Sequence, residues 1–363
     1  MQEWSNKYKF NSFNSWKGLL YMDWYKAIID KKFLPPIEAA IAPIHTCNLS
    51  CRHCNSHSYM KFGNKVERIE DDHLIRLIDF LALWGVKAVC FAGSGEPTLH
   101  TKLPDAIIKS HESGMCASIL TNGTNLSDKL LSTVPLCTWI GVSVDSATPE
   151  TFKKLKGKDY FNRVIKNLEK MSNNSGKCDI AFKFLVSSVN QHEIYKACKL
   201  ARDIGVRDFH ARPMDFYHEG IGEELIGKLA NIDINDINEQ FEACHELETE
   251  DFHVFTVIHK FNADYTPKRE FTQCYGAPLS IPICADGKVY LCIDQWDNPD
   301  YVLGTHYPDP YNILKFWGKE HHIDMVYKNT PSKCKTRCTF GVYSKQCEEL
   351  LLNSEHPMYW KFP

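Results

Sequence analysis

From Ile37 onward the chain alternates short apolar runs with longer stretches whose apolar residues recur at helical spacing. Ile37–Ile44 predicts a strand that stops just before Cys47. Asp71–Leu83 predicts a helix, because Leu74, Leu77, Ile78 and Leu81 fall on one face at a period near 3.6. Ala88–Ala92 predicts the next strand, running into the polar turn Gly93-Ser94-Gly95-Glu96-Pro97. The same rhythm continues with a helix over Pro104–His111, a strand over Cys116–Leu120 before Thr121-Asn122-Gly123, and a strand over Thr138–Val144 before Asp145. Helices over Pro149–Leu155 and Tyr160–Met171, a strand over Ile180–Val186 and a helix over Glu193–Ile204 follow. A sixth strand, Arg207–Ala211, leads into Arg212-Pro213. Strands alternating with helices of this length predict a parallel sheet, curled into a full or partial (β/α) barrel. Barrels of this kind place their chemistry in the turns after the strands, where these polar and glycine-bearing segments lie.

After about Asp215 the alternation fades, and from Phe271 the text becomes rich in cysteine, proline and glycine, with a short strand expected over Lys288–Cys292. The expected architecture is therefore α/β: an N-terminal extension over 1–36, a partial (β/α)6 TIM-like barrel over 37–235, and a small cysteine-rich α+β module over 236–363. Such a module would be built around metal rather than a large core.

Composition changes this picture in one respect. A 44% hydrophobic and 24% charged chain of 363 residues with net charge −3 is ordinary for a globular protein and gives no field that would favour nucleic acid or an anionic membrane. No segment reaches the roughly 18 apolar residues of a membrane span, and the N-terminus lacks a signal-peptide pattern, so a cytoplasmic location is expected. The fifteen cysteines are the unusual feature. In a long chain expected to stay in a reducing compartment, clustered cysteines point to metal or redox chemistry before disulfides.

Cys47-Asn48-Leu49-Ser50-Cys51-Arg52-His53-Cys54 packs three thiols into a C-x3-C-x2-C spacing directly after the first strand. Thiolates so spaced can wrap one iron–sulfur cluster. Zinc is the rival, with His45, His53 or His57 as a fourth ligand. Three cysteines on a four-iron cluster would leave one iron open to bind a cofactor. This spacing, in this place, resembles the signature of the radical S-adenosylmethionine (SAM) superfamily, and the resemblance runs from about Ile37 to Pro213. It implies a [4Fe-4S] cluster on Cys47, Cys51 and Cys54 whose open iron binds SAM, and reductive cleavage of SAM to a 5′-deoxyadenosyl radical. His53 stands where the family usually has an aromatic residue. Gly93-Ser94-Gly95-Glu96 resembles the family's Gly-Gly-Glu segment, which implies that Gly93, Gly95 and Glu96 hold the amino group of SAM. Ser143 and Asp145 resemble the ribose-contacting positions, though a strand end with a helix cap would read the same way. Asn122 serves the cofactor or only a turn, and Arg212 a carboxylate, the substrate or a surface ion pair.

A second constellation holds Cys274, Cys284, Cys292, Cys334, Cys338 and Cys347. Cys274-x12-Gly287-x4-Cys292 resembles the entry motif of the SPASM and twitch modules that carry auxiliary clusters behind such barrels, with Ala285-Asp286-Gly287-Lys288 as a hairpin signal. The later cysteines are too few for two further clusters. The resemblance implies one auxiliary [4Fe-4S] cluster on Cys274, Cys292, Cys334 and Cys338, with Cys347 as the alternative ligand; a structural zinc is the plainer reading. Cys90, Cys116, Cys137, Cys178, Cys198 and Cys244 read as small buried hydrophobes.

A closed auxiliary cluster would accept an electron, which favours oxidation of a small polar substrate such as a sugar or aminocyclitol. An epimerase with Cys284 as hydrogen donor is the alternative, followed by a peptide-modifying maturase and, more remotely, a non-catalytic metal scaffold. Only about forty residues precede the first motif, so no separate leader-binding domain is expected there. The resemblance also implies a flavodoxin- or ferredoxin-type reductant. Asp215, His218, Glu219 and His259 all stay open as general base.

Overall fold

A computed structural model of the chain describes residues 15–54, 67–215, 230–296, 298–328, 334 and 337–351. Ten strands form one sheet in the order β10-β9-β8-β1-β2-β3-β4-β5-β6-β7. They are β1 Glu38–Ala42, β2 Ala88–Phe91, β3 Cys116–Thr121, β4 Trp139–Ser143, β5 Asp179–Val186, β6 Asp208–Pro213, β7 His253–Thr256, β8 Ser280–Cys284, β9 Lys288–Tyr290 and β10 Val302–Thr305. All neighbours from β8 through β1 to β7 are parallel, and β9 and β10 continue the sheet antiparallel.

The helices that return between the parallel strands span Asp71–Trp84, Leu103–Glu112, Asp128–Thr133, Pro149–Lys156, Phe161–Asn173 and Ile194–Asp203. The expected strands and helices therefore appear within a few residues of their predicted bounds. Leu74, Leu77, Ile78 and Leu81 are buried, as the 3.6 period requires. That helix carries Asp71 and Asp72 in its first turn, and it ends on Gly85 at φ +101°, the left-handed cap that glycine adopts without penalty.

Three strands, β7, β8 and β10, lie outside the predicted set. β7 extends the sheet beyond β6 in the register Asp208↔His253 and follows the helix Ile234–His245, in the stretch where the alternation was expected to fade. β8 lies beside β1, with Ala40↔Pro282 and Ala42↔Cys284 in register. The cysteine-rich C-terminal segment is thus continuous with the barrel sheet, and the Ala285–Lys288 hairpin turns where glycine was expected, with Gly287 at φ +83°. The N-terminal helix Met22–Ile29 joins the opposite end of the chain. Tyr25 is fully buried and its hydroxyl donates to Gln346 Oε1 at 2.7 Å, while Tyr327 donates to the Ile28 carbonyl at 2.7 Å. Among the described residues no helix is long and apolar enough to cross a membrane.

Candidate functional site

The cysteine loop leaves the C-terminal end of β1 and is held by three turns that follow neighbouring elements. Glu96 N donates to the Thr46 carbonyl at 2.9 Å. Any Cβ at Gly95 would run into the Ile44 carbonyl and come within 2.7 Å of that of Thr46, so glycine is needed for the close approach. From the far side, Ser50 N and Arg52 N donate to the carbonyls of Lys156 and Leu155, at 3.1 and 3.0 Å, which docks the loop on the end of the helix Pro149–Lys156. Asn122, after β3, donates through Nδ2 to Asn48 Oδ1 at 2.8 Å and reaches Cys47 Sγ at 3.7 Å.

Cys47, Cys51 and Cys54 are half-buried in this loop. Burial pushes the Cys47 thiol up to about 11, with Cys51 among the neighbouring charges that add to the shift. Lys156 lies within electrostatic reach of both Cys51 and Cys54, so thiolates formed here have a buried cation beside them. Ser94 Oγ and His53 Nδ1 are buried without a hydrogen-bond partner among the described residues. Orphaned polar atoms next to three thiols are what a cluster with a bound polar cofactor would satisfy.

Glu96 is buried, and its carboxylate is already engaged. Oε1 accepts from Thr98 N at 3.1 Å and from the hydroxyls of Thr98 and Thr121 at 2.6 Å, and Oε2 accepts from Asn122 N at 2.7 Å. Burial raises its pKa and these donors pull it back. Asp145 is fully buried at φ +58°, a left-handed conformation that is costly for any residue with a side chain. Its Oδ2 pairs with Lys156 and lies 3.4 Å from His53 Nε2, while Oδ1 accepts from Leu185 N at 2.7 Å. Burial would raise the Asp145 carboxyl, but the Lys156 ammonium and His53 together hold it below its ordinary range. Lys156 was not singled out in the sequence, because a lysine in the last turn of an amphipathic helix reads as a solvated residue complementing the helix dipole.

Ser143 ends β4 opposite Lys183 of β5, and Lys183 Nζ lies 2.7 Å from His210 Nδ1 on β6. Arg212 follows on β6 and donates to the Pro213 carbonyl at 3.2 Å. Of the open candidates for a base, Asp215 accepts from Arg337 N at 2.8 Å, and burial lowers His259 to about 4. His57, His218 and Glu219 lie outside the described residues.

Cys274, Cys292, Cys334 and Cys338 line one cavity, together with Asp294 and Gln295. Gln295 Nε2 donates to Cys334 Sγ at 3.1 Å and Asp294 N to Cys292 Sγ at 3.4 Å. Burial, then Asp294 and the neighbouring thiols, pushes Cys292 well up and Cys338 up to about 12. Cys338 lines the cavity, whereas Cys347 is fully buried within electrostatic reach of Tyr25. Cys284 is fully buried at the end of β8, its sulfur within 4.8 Å of ligand atoms of His45 and Asp286. Cys90, Cys137, Cys178, Cys198 and Cys244 are buried as expected, and Cys116 is exposed at the start of β3.

The chain is similar to several known proteins in sequence and in fold. It is 29% identical over 221 residues to a probable GTP 3′,8-cyclase of Metallosphaera sedula, covering 56% of this chain and 67% of that protein. A probable GTP 3′,8-cyclase of Saccharolobus islandicus (strain M.14.25 / Kamchatka #1) is 28% identical over 291 residues, covering 76% and 89%. In fold, the chain is similar to Streptococcus suis SuiB bound to S-adenosylmethionine, with TM-score 0.62, 16% identity, and 84% and 71% of the two chains covered. It is also similar to native anSMEcpe with bound AdoMet, with TM-score 0.57, 19% identity, and coverage of 86% and 95%. The Radical SAM superfamily description matches residues 41–201, so that this stretch, from β1 to the helix Ile194–Asp203, carries a radical SAM superfamily domain.

Proposed function

We propose that this protein is a radical SAM enzyme that oxidises a small polar substrate, with one cluster on Cys47, Cys51 and Cys54 and an auxiliary cluster on Cys274, Cys292, Cys334 and Cys338. The observation that carries the reading is the pairing of a three-thiol loop at the strand ends with a separate cavity lined by four thiols. When bound, the first cluster and SAM supply a 5′-deoxyadenosyl radical that removes a hydrogen atom from a substrate carbon, and a closed four-thiolate cluster supplies an electron acceptor.

The chain's own residues do the rest. Gly93 and Gly95 keep the second turn close against β1 and the cysteine loop, and Ser94 Oγ offers an unspent hydroxyl there. Glu96 fixes the end of β3 through Thr121 and Asn122, and Asn122 in turn positions Cys47. Asp145, locked by Lys156, presents His53 to the cofactor side, and Ser143 on β4 and Arg212 on β6, either side of β5, stand as cofactor or substrate contacts.

A second reading, radical epimerisation, draws on Cys284. Burial pushes this thiol well up, so it stays protonated, the form that can give a hydrogen atom to a substrate radical. Its place at the end of β8, in register with Ala42 just before the cysteine loop, is on the side of the sheet ends where the site lies. The related cyclases widen the substrate range to nucleotides.

Anaerobic reconstitution tests the main reading. About eight irons per chain, falling to about four in a Cys47/Cys51/Cys54→Ala variant, is the expected result. Reduced wild type should form 5′-deoxyadenosine from SAM and Cys51→Ala should not. About four irons falling to none would leave Cys274–Cys338 to zinc and remove the electron acceptor. A Cys284→Ala variant that turns an epimerised product into an oxidised one would favour the second reading.

A further inference from the structure

Four basic side chains, on β5 and β6, after β7 and in the Cys334–Cys338 segment, lie within electrostatic reach of one another. Lys183 on β5 is in register with His210 on β6, and Arg212 follows His210 on the same face of that strand. Lys260 comes from the turn after β7, which is closed by Lys268 N donating to the Lys260 carbonyl at 2.8 Å. Arg337 lies between Cys334 and Cys338, and its backbone N–H ties that loop to Asp215 at the end of the barrel. Lys183, Arg212, Lys260 and Arg337 are all half-buried.

Three acids act on Arg212, namely Asp145, Asp215 and Asp294, and each already has partners; Asp215 accepts from Arg337 N at 2.8 Å. Asp145 is taken by Lys156, His53 and Leu185 N. Asp294 accepts from Thr339 N at 2.7 Å and Thr339 Oγ1 at 3.0 Å, and stands 3.8 Å from Arg337 Nη2. Lys260 Nζ has no carboxylate within ion-pair distance among the described residues, and the Arg212 guanidinium has one hydrogen bond there, to Pro213 O. Burial and then Arg337 lower both side chains, Lys260 to about 7 and Arg212 to about 9, while Asp294 acts on both in the opposite direction. With Asp145 paired to Lys156, the four basic side chains Lys183, Arg212, Lys260 and Arg337 share two nearby carboxylates, Asp215 and Asp294.

We propose that Arg212, Lys260 and Arg337 form a seat for an anionic group of the substrate, a phosphate or a carboxylate, with Lys183 behind them. Guanidinium forks suit both groups, because they pair their oxygens two at a time. Anchored there, the substrate would lie between the Cys47 loop and the Cys274 cavity, its anionic end fixed while the reacting carbon faces the cofactor. This rests on the reading of the two thiol sites as the two ends of the reaction. The competing role for these cations is to neutralise the clusters' own thiolates.

The full chain, reconstituted with iron and sulfide, is titrated calorimetrically with inorganic pyrophosphate and with succinate. At least one probe should bind, with affinity falling as salt rises. Preference for pyrophosphate marks a phosphorylated substrate, and preference for succinate a carboxylate. Lys260→Met, and separately Arg212→Lys, which keeps the charge and removes the fork, should each weaken binding roughly tenfold or more at unchanged iron content. The seat is overturned when neither probe binds wild type, when both variants bind as well as wild type, or when both lose iron, which assigns the cations to the clusters. Formation of 5′-deoxyadenosine in the same samples reports on the radical reading by itself. Binding without SAM cleavage leaves the seat standing, and cleavage without binding removes the seat alone.

Discussion

His306 is fully buried, with Nε2 2.9 Å from the Cys284 carbonyl oxygen and Nδ1 2.8 Å from Nε2 of His73. This chain of contacts ties the segment after β10 to β8 and to the helix Asp71–Trp84. Burial lowers His306 to about 4, in spite of the Cys284 carbonyl, which favours the protonated form. A folded value below the unfolded one means that its stabilising effect is complete above about 6.5 and is lost as pH falls toward 4. At pH 5.5 the loss is roughly 1–1.5 kcal/mol for this one group. Urea midpoints at pH 7.5 and 5.5 should therefore differ more in wild type than in His306→Phe, and an equal drop in both proteins would place the acid sensitivity elsewhere. Residues of this kind were silent in the sequence, whereas the cysteines were legible because cluster ligation demands thiols at fixed short intervals. Lys156, Lys260 and Arg337 were silent for the opposite reason. Single basic residues are common on surfaces, and only the folded chain shows that these are drawn inward.

At the scale of elements, the helix Pro149–Lys156 is the one on which the cysteine loop rests. Gly157 closes it at φ +76°, and a Cβ there would collide with Ser50 Oγ and approach the Ser50 carbonyl at 3.0 Å. Gly157→Ala should cost about 1–2 kcal/mol and lower iron retention by the Cys47 loop while leaving iron at Cys274–Cys338 unchanged. Iron analysis in the Cys47/Cys51/Cys54→Ala background separates the two sites; loss at both would mean that the strain spreads through the fold. A Phe182→Ala change is of a different kind. Phe182 is fully buried in β5 with its ring 5.8 Å from that of Phe209, and its loss should cost about 3–5 kcal/mol, read as a lower urea midpoint at unchanged slope. Strands such as β5 were plain in the sequence, since burial on both faces of a parallel sheet demands a run of apolar residues. β8 was hidden by Pro282, a residue that argues against an inner strand. The structure accommodates it where the ladder to β9 is reduced to the single pair Ile283↔Val289, while pairing with β1 stays continuous over five residues.

For the whole molecule, strands from the barrel and from the cysteine-rich C-terminal segment belong to one ten-stranded sheet. β8, from the C-terminal third, is hydrogen-bonded to β1, the first strand of the barrel, over the length of both. The N-terminal helix is covered by the C-terminal segment through Tyr25 and Gln346, and Trp317 Nε1 donates to the Leu34 carbonyl at 2.9 Å. One buried core runs from Tyr25 and Ile28 through the barrel to Val326 and Cys347. Cooperative units are set by shared buried contacts rather than by sequence order, so both thiol sites should be lost together when this core unfolds. Urea unfolding of the metal-free chain, followed by far-ultraviolet circular dichroism and by tryptophan fluorescence, should give coincident single transitions. Tyr25→Ala should move both curves by the same amount, about 3–5 kcal/mol, as for other large aromatic residues removed from a core. Two separated transitions, with only the later-sequence tryptophans Trp296, Trp317 and Trp360 reporting the first, would instead make the cysteine-rich segment a unit that folds by itself and docks on the barrel.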